Sequence, residues 1–242
     1  VNLYYYAAPS RFYALAGRLV PWCLGAALVL LLAGLVLGLG MAPTDATQGD
    51  VYRIIFIHVP AAWMSMVIYL AMAFWAGIGL AFKARLALLL ARALAPTGAL
   101  MTFIALMSGS FWGKPAWGTW WVWDARLTSE LILLFLYLGF LSLHAAIEDE
   151  RRADRAAAVL ALVGVVNVPI IYFSVQWWNT LHQAASITFT KVSVAPPILL
   201  GMLVMTLAFW AYAIGVVMAR TQALIIEREA GASWLRPSAA VS

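Results

Sequence analysis

The sequence predicts an all-α integral membrane protein with six transmembrane helices and both termini in the cytoplasm. Three observations lead there. Of 242 residues, 65% are hydrophobic and only 10% are charged, against roughly 25% charged in soluble domains; too few polar side chains remain to cover a water-facing surface. Six apolar runs each approach the roughly 20 residues a helix needs to cross the hydrocarbon core. Lysine and arginine, finally, alternate between rich and poor loops. The net charge of +5 does not signal nucleic acid, because that requires basic residues gathered on one solvated face. Here they sit in short loops between apolar runs.

The runs fall at about 20–41, 54–82, 93–111, 128–147, 156–175 and 197–219. Arg11 and Arg18 precede the first, and no small-residue cleavage site interrupts it before Met41, so it reads as a retained helix and not a removable signal. The second is long, and His58-Val59-Pro60 marks an irregular lead-in, with regular helix starting near Pro60, since proline lacks a donor and biases its predecessor away from helix. Asp124 precedes the fourth run as a candidate N-cap. Glu130, four positions after Arg126, is expected to pair with it across one turn and so neutralise a costly membrane carboxylate. Asn167 and Pro169 predict a bend in the fifth run. No internal repeat is evident, and the chain reads as a single six-helix membrane domain carrying one tryptophan-rich loop at about 112–127.

Orientation follows from the fifteen basic residues. Arg11, Arg18, Lys83, Arg85, Arg92, Arg151, Arg152, Arg155, Arg220, Arg228 and Arg236 fall on one side. Only Arg53, Lys114, Arg126 and Lys191 fall on the other. By the positive-inside rule the rich side, which holds both termini, is cytoplasmic, and the loops at about 42–53, 112–127 and 176–196 face outward.

Five of the twelve tryptophans, Trp112, Trp117, Trp120, Trp121 and Trp123, lie within 112–123, and Trp177 and Trp178 begin the last outward loop. An aromatic belt at the membrane interfaces accounts for Trp22, Trp75 or Trp210 but not for a cluster on one side. Gly113, Pro115 and Gly118 give that segment a compact path, and its indoles offer broad flat surfaces suited to a large planar ligand. Lys114 and Arg126 suit carboxylates at such a ligand's edge. Arg53, Lys114, Arg126 and Lys191 against Asp45, Asp50 and Asp124 leave a slight positive excess on this face, compatible with an anion.

The chain has three histidines. His58 and His182 fall on the tryptophan-rich face, which points to two axial ligands on one iron porphyrin, imidazole being a common haem-iron ligand. His144, near the cytoplasmic end of the fourth run by Glu148, reads as a helix-end residue complementing the dipole. One ligand near an interface and one on a loop suggest an exposed, releasable haem. A permease for haem or another planar anion, and an electron-transfer cytochrome, remain as other classes. The permease would show a polar path inside the helices, where Asn167 stands nearly alone. Cys23 has no partner for a disulfide or thiolate site, and no nucleophile–base or phosphate-loop motif marks an enzyme or ATPase.

The run Trp117-Gly118-Thr119-Trp120-Trp121-Val122-Trp123-Asp124-Ala125-Arg126-Leu127-Thr128 closely resembles the tryptophan-rich "WWD" signature of the haem-handling proteins of cytochrome c maturation. Six helices, His58-Val59-Pro60 and His182 are similar to the haem exporter C branch of that family, over essentially the whole chain. The resemblance implies a protein that holds haem (as haem b, before covalent attachment) at the periplasmic face of the bacterial inner membrane. It implies delivery to a membrane-anchored periplasmic haem chaperone, within a complex of an ABC-transporter ATPase subunit, a second membrane subunit and a small single-helix subunit. It further implies His58 and His182 as axial ligands, and Trp117 to Asp124 as the platform.

Overall fold

The computed structural model describes residues 7–182, 193–232 and 234; Lys191 and Arg236 lie outside the described residues. Among the described residues it is helical, with six spans long and apolar enough to cross a membrane. The helices are α1 (Pro9–Leu35), α2 (Ile55–Phe82), α3 (Arg85–Trp117), α4 (Ala125–Ala146), α5 (Glu150–Gly164), α6 (Asn167–Trp177) and α7 (Pro196–Arg228). A π-helical stretch, Val36–Met41, prolongs α1, and a 3-10 turn, Asp50–Ile54, leads into α2.

Several expected boundaries move. Pro9 sits at the start of α1, where its missing N–H costs nothing, so Arg11 and Arg18 lie within the helix. α3 and α7 likewise extend beyond the apolar runs at the end away from the tryptophan loop and take in Arg85, Arg92, Arg220 and Arg228. The expected irregular lead-in at His58 is corrected. α2 is already helical from Ile55 and runs through His58 and Pro60, because a proline this close to the start removes a single hydrogen bond and the 3-10 turn before it sets the helical path. The expected break in the fifth span is found: α5 ends at Gly164 and α6 begins at Asn167. Pro169 cannot donate to Val165, whose carbonyl accepts instead from the Val168 N–H at 3.1 Å.

The core lies between α2, α3, α4 and the α5–α6 pair, around the buried side chains of Tyr69, Met72, Leu133, Tyr137, Phe140 and Ile171. α1 packs along α7, and between them Gly38 and Gly201 clasp the ring of Phe56. A Cβ at either glycine would meet that ring at 2.6 and 2.7 Å, so α2 is held at a fixed height only two residues before His58.

At the opposite end His144 does more than complement its helix dipole. Its Nε2 lies 3.2 Å from Asp154 of α5 and its Nδ1 lies 3.1 Å from the Phe140 carbonyl. Asp154 in turn accepts two hydrogen bonds from Arg228 of α7, at 2.6 and 2.9 Å. This bidentate pair with its histidine ties α4, α5 and α7 together far from the tryptophans.

Candidate functional site

The loops 42–54, 118–124 and 178–182 share one end of the bundle. Below them opens a cleft of about 470 Å³, counting the part open to the surroundings. α2 lines it with His58, Ala62 and Met66, and α3 with Ala105, Leu106, Gly109, Ser110 and Trp117. The facing wall is Arg126, Leu127 and Glu130 of α4 with Ile171 of α6, and His182 completes it. His58 and His182 thus meet at one cavity, together with Arg126 and Trp117.

Each imidazole is oriented through its Nδ1. That of His58 lies 3.1 Å from the Ala105 carbonyl and 3.1 Å from the Ser108 hydroxyl. The carbonyl can only accept, and Ser108 gives its own proton to Ile104 at 2.6 Å, so Nδ1 carries a hydrogen, and in the neutral ring Nε2 then holds the lone pair. Gly109 makes room for this ring, since a Cβ there would come within 2.9 Å of His58 Cε1. His182 Nδ1 lies 3.5 Å from Asp124 Oδ2 and 3.4 Å from the Thr180 hydroxyl. Thr180 donates to the same carboxylate oxygen. Nδ1 of His182 is therefore the donor as well, and both histidines present the tautomer that suits a ligand: one nitrogen bonded to the protein, the other without a hydrogen bond among the described residues.

Asp124 is the expected N-cap, its Oδ1 accepting from the Leu127 N–H at 2.8 Å, and it also anchors Thr180 and His182. Burial pushes its carboxyl up, but the hydrogen bonds from Thr180 and Leu127 outweigh that and hold it below the usual range. Burial, and then the nearby charge of Arg126, lower His182 to about 4 against the opposing pull of Asp124. At neutral pH the pair is a carboxylate and a neutral imidazole.

The tryptophans divide. Trp117 packs edge-on to His182, ring centroids 4.9 Å apart, and Trp112 packs edge-on to His58 at 5.7 Å. Of the motif's tryptophans only Trp117 lines the cleft. Trp120 is exposed against Phe111, and Trp123, 77% exposed, rests on Trp121. Of the platform expected from Trp117 to Asp124, the indole that borders this cleft is that of Trp117. The reason is that α3 runs on to Trp117 and stops at Gly118 with φ of +79°, a left-handed cap that glycine adopts freely. The expected loop at 112–127 thus shrinks to 118–124, and Trp112, Lys114 and Pro115 belong to a helix.

The basic residues divide too. Arg126 reaches the cleft, and among the described residues its guanidinium has no hydrogen bond and no ion pair. The expected Arg126–Glu130 ion pair is absent among the described residues. Glu130, 7% exposed, accepts from Ser65 at 2.7 Å instead. Lys114 donates to the Gly118 carbonyl at 3.1 Å. Arg53 caps the π-helical end of the first span, Nη1 lying 3.0 Å from the carbonyls of both Gly38 and Leu39, and pairs with Asp50 at 2.9 Å. Neither Arg53 nor Lys114 lines the cleft.

Sequence reading missed Ser108, Gly109 and Thr180, which orient the histidines. It also took Asn167 to stand nearly alone. Asn167 donates to the Ser129 carbonyl at 2.8 Å, and a buried polar column leads inward from Glu130 through Ser65 to Tyr137, whose hydroxyl donates to the Ser65 carbonyl at 2.8 Å. Only the Thr180-x-His182 spacing offered a local signal. The others act across helices.

The arrangement can ligate a metal held in a flat ring. Two imidazoles whose Nε2 atoms have no hydrogen bond among the described residues share a cleft, Met66, Leu106, Leu127 and Ile171 supply apolar walls, and the Arg126 guanidinium reaches the same space. This donor set fits an iron porphyrin. Comparison with known proteins agrees in kind. The family described as heme exporter protein C matches residues 2–236. The heme exporter protein C of Escherichia coli is 56% identical over 185 residues, 76% of each chain. That of Haemophilus influenzae is 45% identical over 235 residues, 97% of this chain and 96% of its own. That of Bradyrhizobium diazoefficiens is 51% identical over 205 residues, 84% of this chain and 77% of its own.

Proposed function

The chain belongs to the heme exporter protein C family, and we propose that it holds haem at the periplasmic face of the bacterial inner membrane and hands it to a periplasmic haem chaperone during cytochrome c biogenesis. The observation that carries this reading is the convergence of His58, His182, Arg126 and Trp117, from three helices and a loop, on one cleft. The charge asymmetry of the loops supports placing that cleft outside the cytoplasm.

In this reading haem is cargo. His58 and His182 bind iron through Nε2, from opposite faces of the ring. Ala105 and Ser108 hold the first imidazole, and Asp124 and Thr180 the second. Arg126 meets a ring-edge carboxylate, for which its planar fork is suited. Trp117 walls the His182 side. Trp120 and Trp123, exposed at the same end, suit contact with the chaperone or with lipid headgroups. One ligand sits on a helix and the other in a loop, an arrangement that favours release over permanent retention. The partners are the ATPase, the second membrane subunit and the small single-helix subunit of an ABC-type complex.

The test is transfer. The purified full chain should carry haem with a six-coordinate low-spin spectrum and lose it to added haem chaperone. Haem that stays put with acceptor in excess would mark an electron-transfer cytochrome instead.

A further inference from the structure

Loop 42–54 makes contacts with the end of α3 that the haem-holding role leaves unused. Trp112 Nε1–H donates to Gln48 Oε1 at 2.6 Å. Gln48 is itself held in place. Asp45 Oδ1 accepts from the backbone N–H groups of Thr47 and Gln48 at 2.9 and 2.8 Å. Gly49, with φ of +60°, returns its N–H to the Asp45 carbonyl at 3.0 Å. Residues 45–49 form a closed turn with the Gln48 side chain bonded to the indole. Tyr52 packs edge-on to Trp112, centroids 5.8 Å apart at 81°, and Trp112 stands edge-on to His58 at 5.7 Å and 82°.

An edge-to-face contact constrains the ring it touches, because sliding or tilting either plane gives up the quadrupole alignment. His58 already has its Nδ1 bonded to α3. Those contacts fix where Nδ1 lies, and the packing of Trp112 against the same ring limits how far its plane can tilt about that point. The indole can serve only if its own plane is set, and its single polar atom is bonded to Gln48.

We infer that Gln48 is a positioning residue for the haem site, acting through Trp112 to set the plane of the His58 imidazole. It touches no cargo. The inference rests on His58 being an iron ligand, and it makes loop 42–54 part of the site although none of that loop lines the cleft.

Two measurements on the full-length protein test it. The first needs no haem: carbethoxylation of each histidine is followed by mass spectrometry in wild type and in Gln48→Ala. His58 should react several-fold faster in the variant, while His182 and His144 keep their wild-type rates. All three rising together would mean general loosening, and none rising would mean that Gln48 sets nothing; either result overturns the inference. The second uses haem-loaded protein. Gln48→Ala should shift the largest g value of the ferric low-spin signal, which reports the relative planes of the axial imidazoles, and should speed haem loss about threefold to tenfold. In a Trp112→Phe background, which keeps a ring but not the donor, Gln48→Ala should add nothing. Additive effects there would show that Gln48 works by another route. If wild-type protein takes up no haem, the ligand reading fails and this role falls with it, while the first measurement still reports whether Gln48 orients His58.

Discussion

The imidazole of His182 stands edge-on to the indole of Trp117, ring centroids 4.9 Å apart and planes at 68°. A residue after α6 is thereby seated on the last residue of α3, and the tryptophan signature and one candidate ligand form a single packed unit. Aromatic pairs of this kind contribute about 0.5–1.5 kcal/mol beyond the area they bury. Trp117→Ala should therefore weaken haem retention several-fold even where folding is intact. Trp123→Ala, at a ring 77% exposed outside the cleft, should leave haem content near wild type. Haem per protein in the two variants decides it, and equal losses would restore a continuous platform.

His58→Ala and His182→Ala should each abolish the six-coordinate low-spin spectrum, whereas His144→Ala should preserve it, because His144 is engaged with Asp154 at the other end of the bundle. Visible spectra of the three variants make the comparison. An unchanged spectrum in both of the first two removes the ligand assignment.

Gly109→Ala should act on His58 without touching its chemistry. The new methyl would come within 2.9 Å of Cε1, and the ring can escape only by leaving its hydrogen bonds to Ala105 and Ser108. A loss of about tenfold in haem affinity, roughly 1.4 kcal/mol, is expected. Gly40→Ala, where a Cβ meets nothing within 4 Å, serves as the control.

Haem ligation should tolerate acid. A histidine ligates only when neutral, and the usual imidazole takes up its proton near pH 6.5. His182, lowered to about 4, keeps its lone pair through that range, so retention should be flat from pH 8 to about 5.5 and fall as pH approaches 4. Arg126→Gln removes the repelling cation and should move the fall to higher pH. Spectral titration measures both, and a wild-type midpoint near 6.5 would contradict the assignment.

A reporter active only outside the cytoplasm should work when fused after Thr119 and fail after Asp149. The reverse pattern would place the cleft on the cytoplasmic side.

The spans were legible because each apolar run is continuous, and Asp124 was legible because capping is a local pattern. The break near Asn167 was equally local. The end of α3 was not: glycine and proline at 113, 115 and 118 read as loop, yet Pro115 costs the helix one bond near its terminus while Gly118 ends it. Glu130 was misread for a different reason. Its partner, Ser65, comes from another helix, and no spacing in the chain announces it. The histidine pair was found only because histidine is scarce here; what orients each ring was invisible.

Trp112 and Trp117 ride on the same final turns of α3, five residues and so about 7.5 Å apart along its axis. One braces His58 and the other braces His182, which makes the helical pitch itself a gauge block for the gap between the two imidazoles. Residues added within 119–123 would lengthen a strap and leave the gauge unaltered. A single residue inserted between Gly113 and Ala116 would swing Trp117 by about 100° and leave His182 without its seat, however intact every named side chain remained.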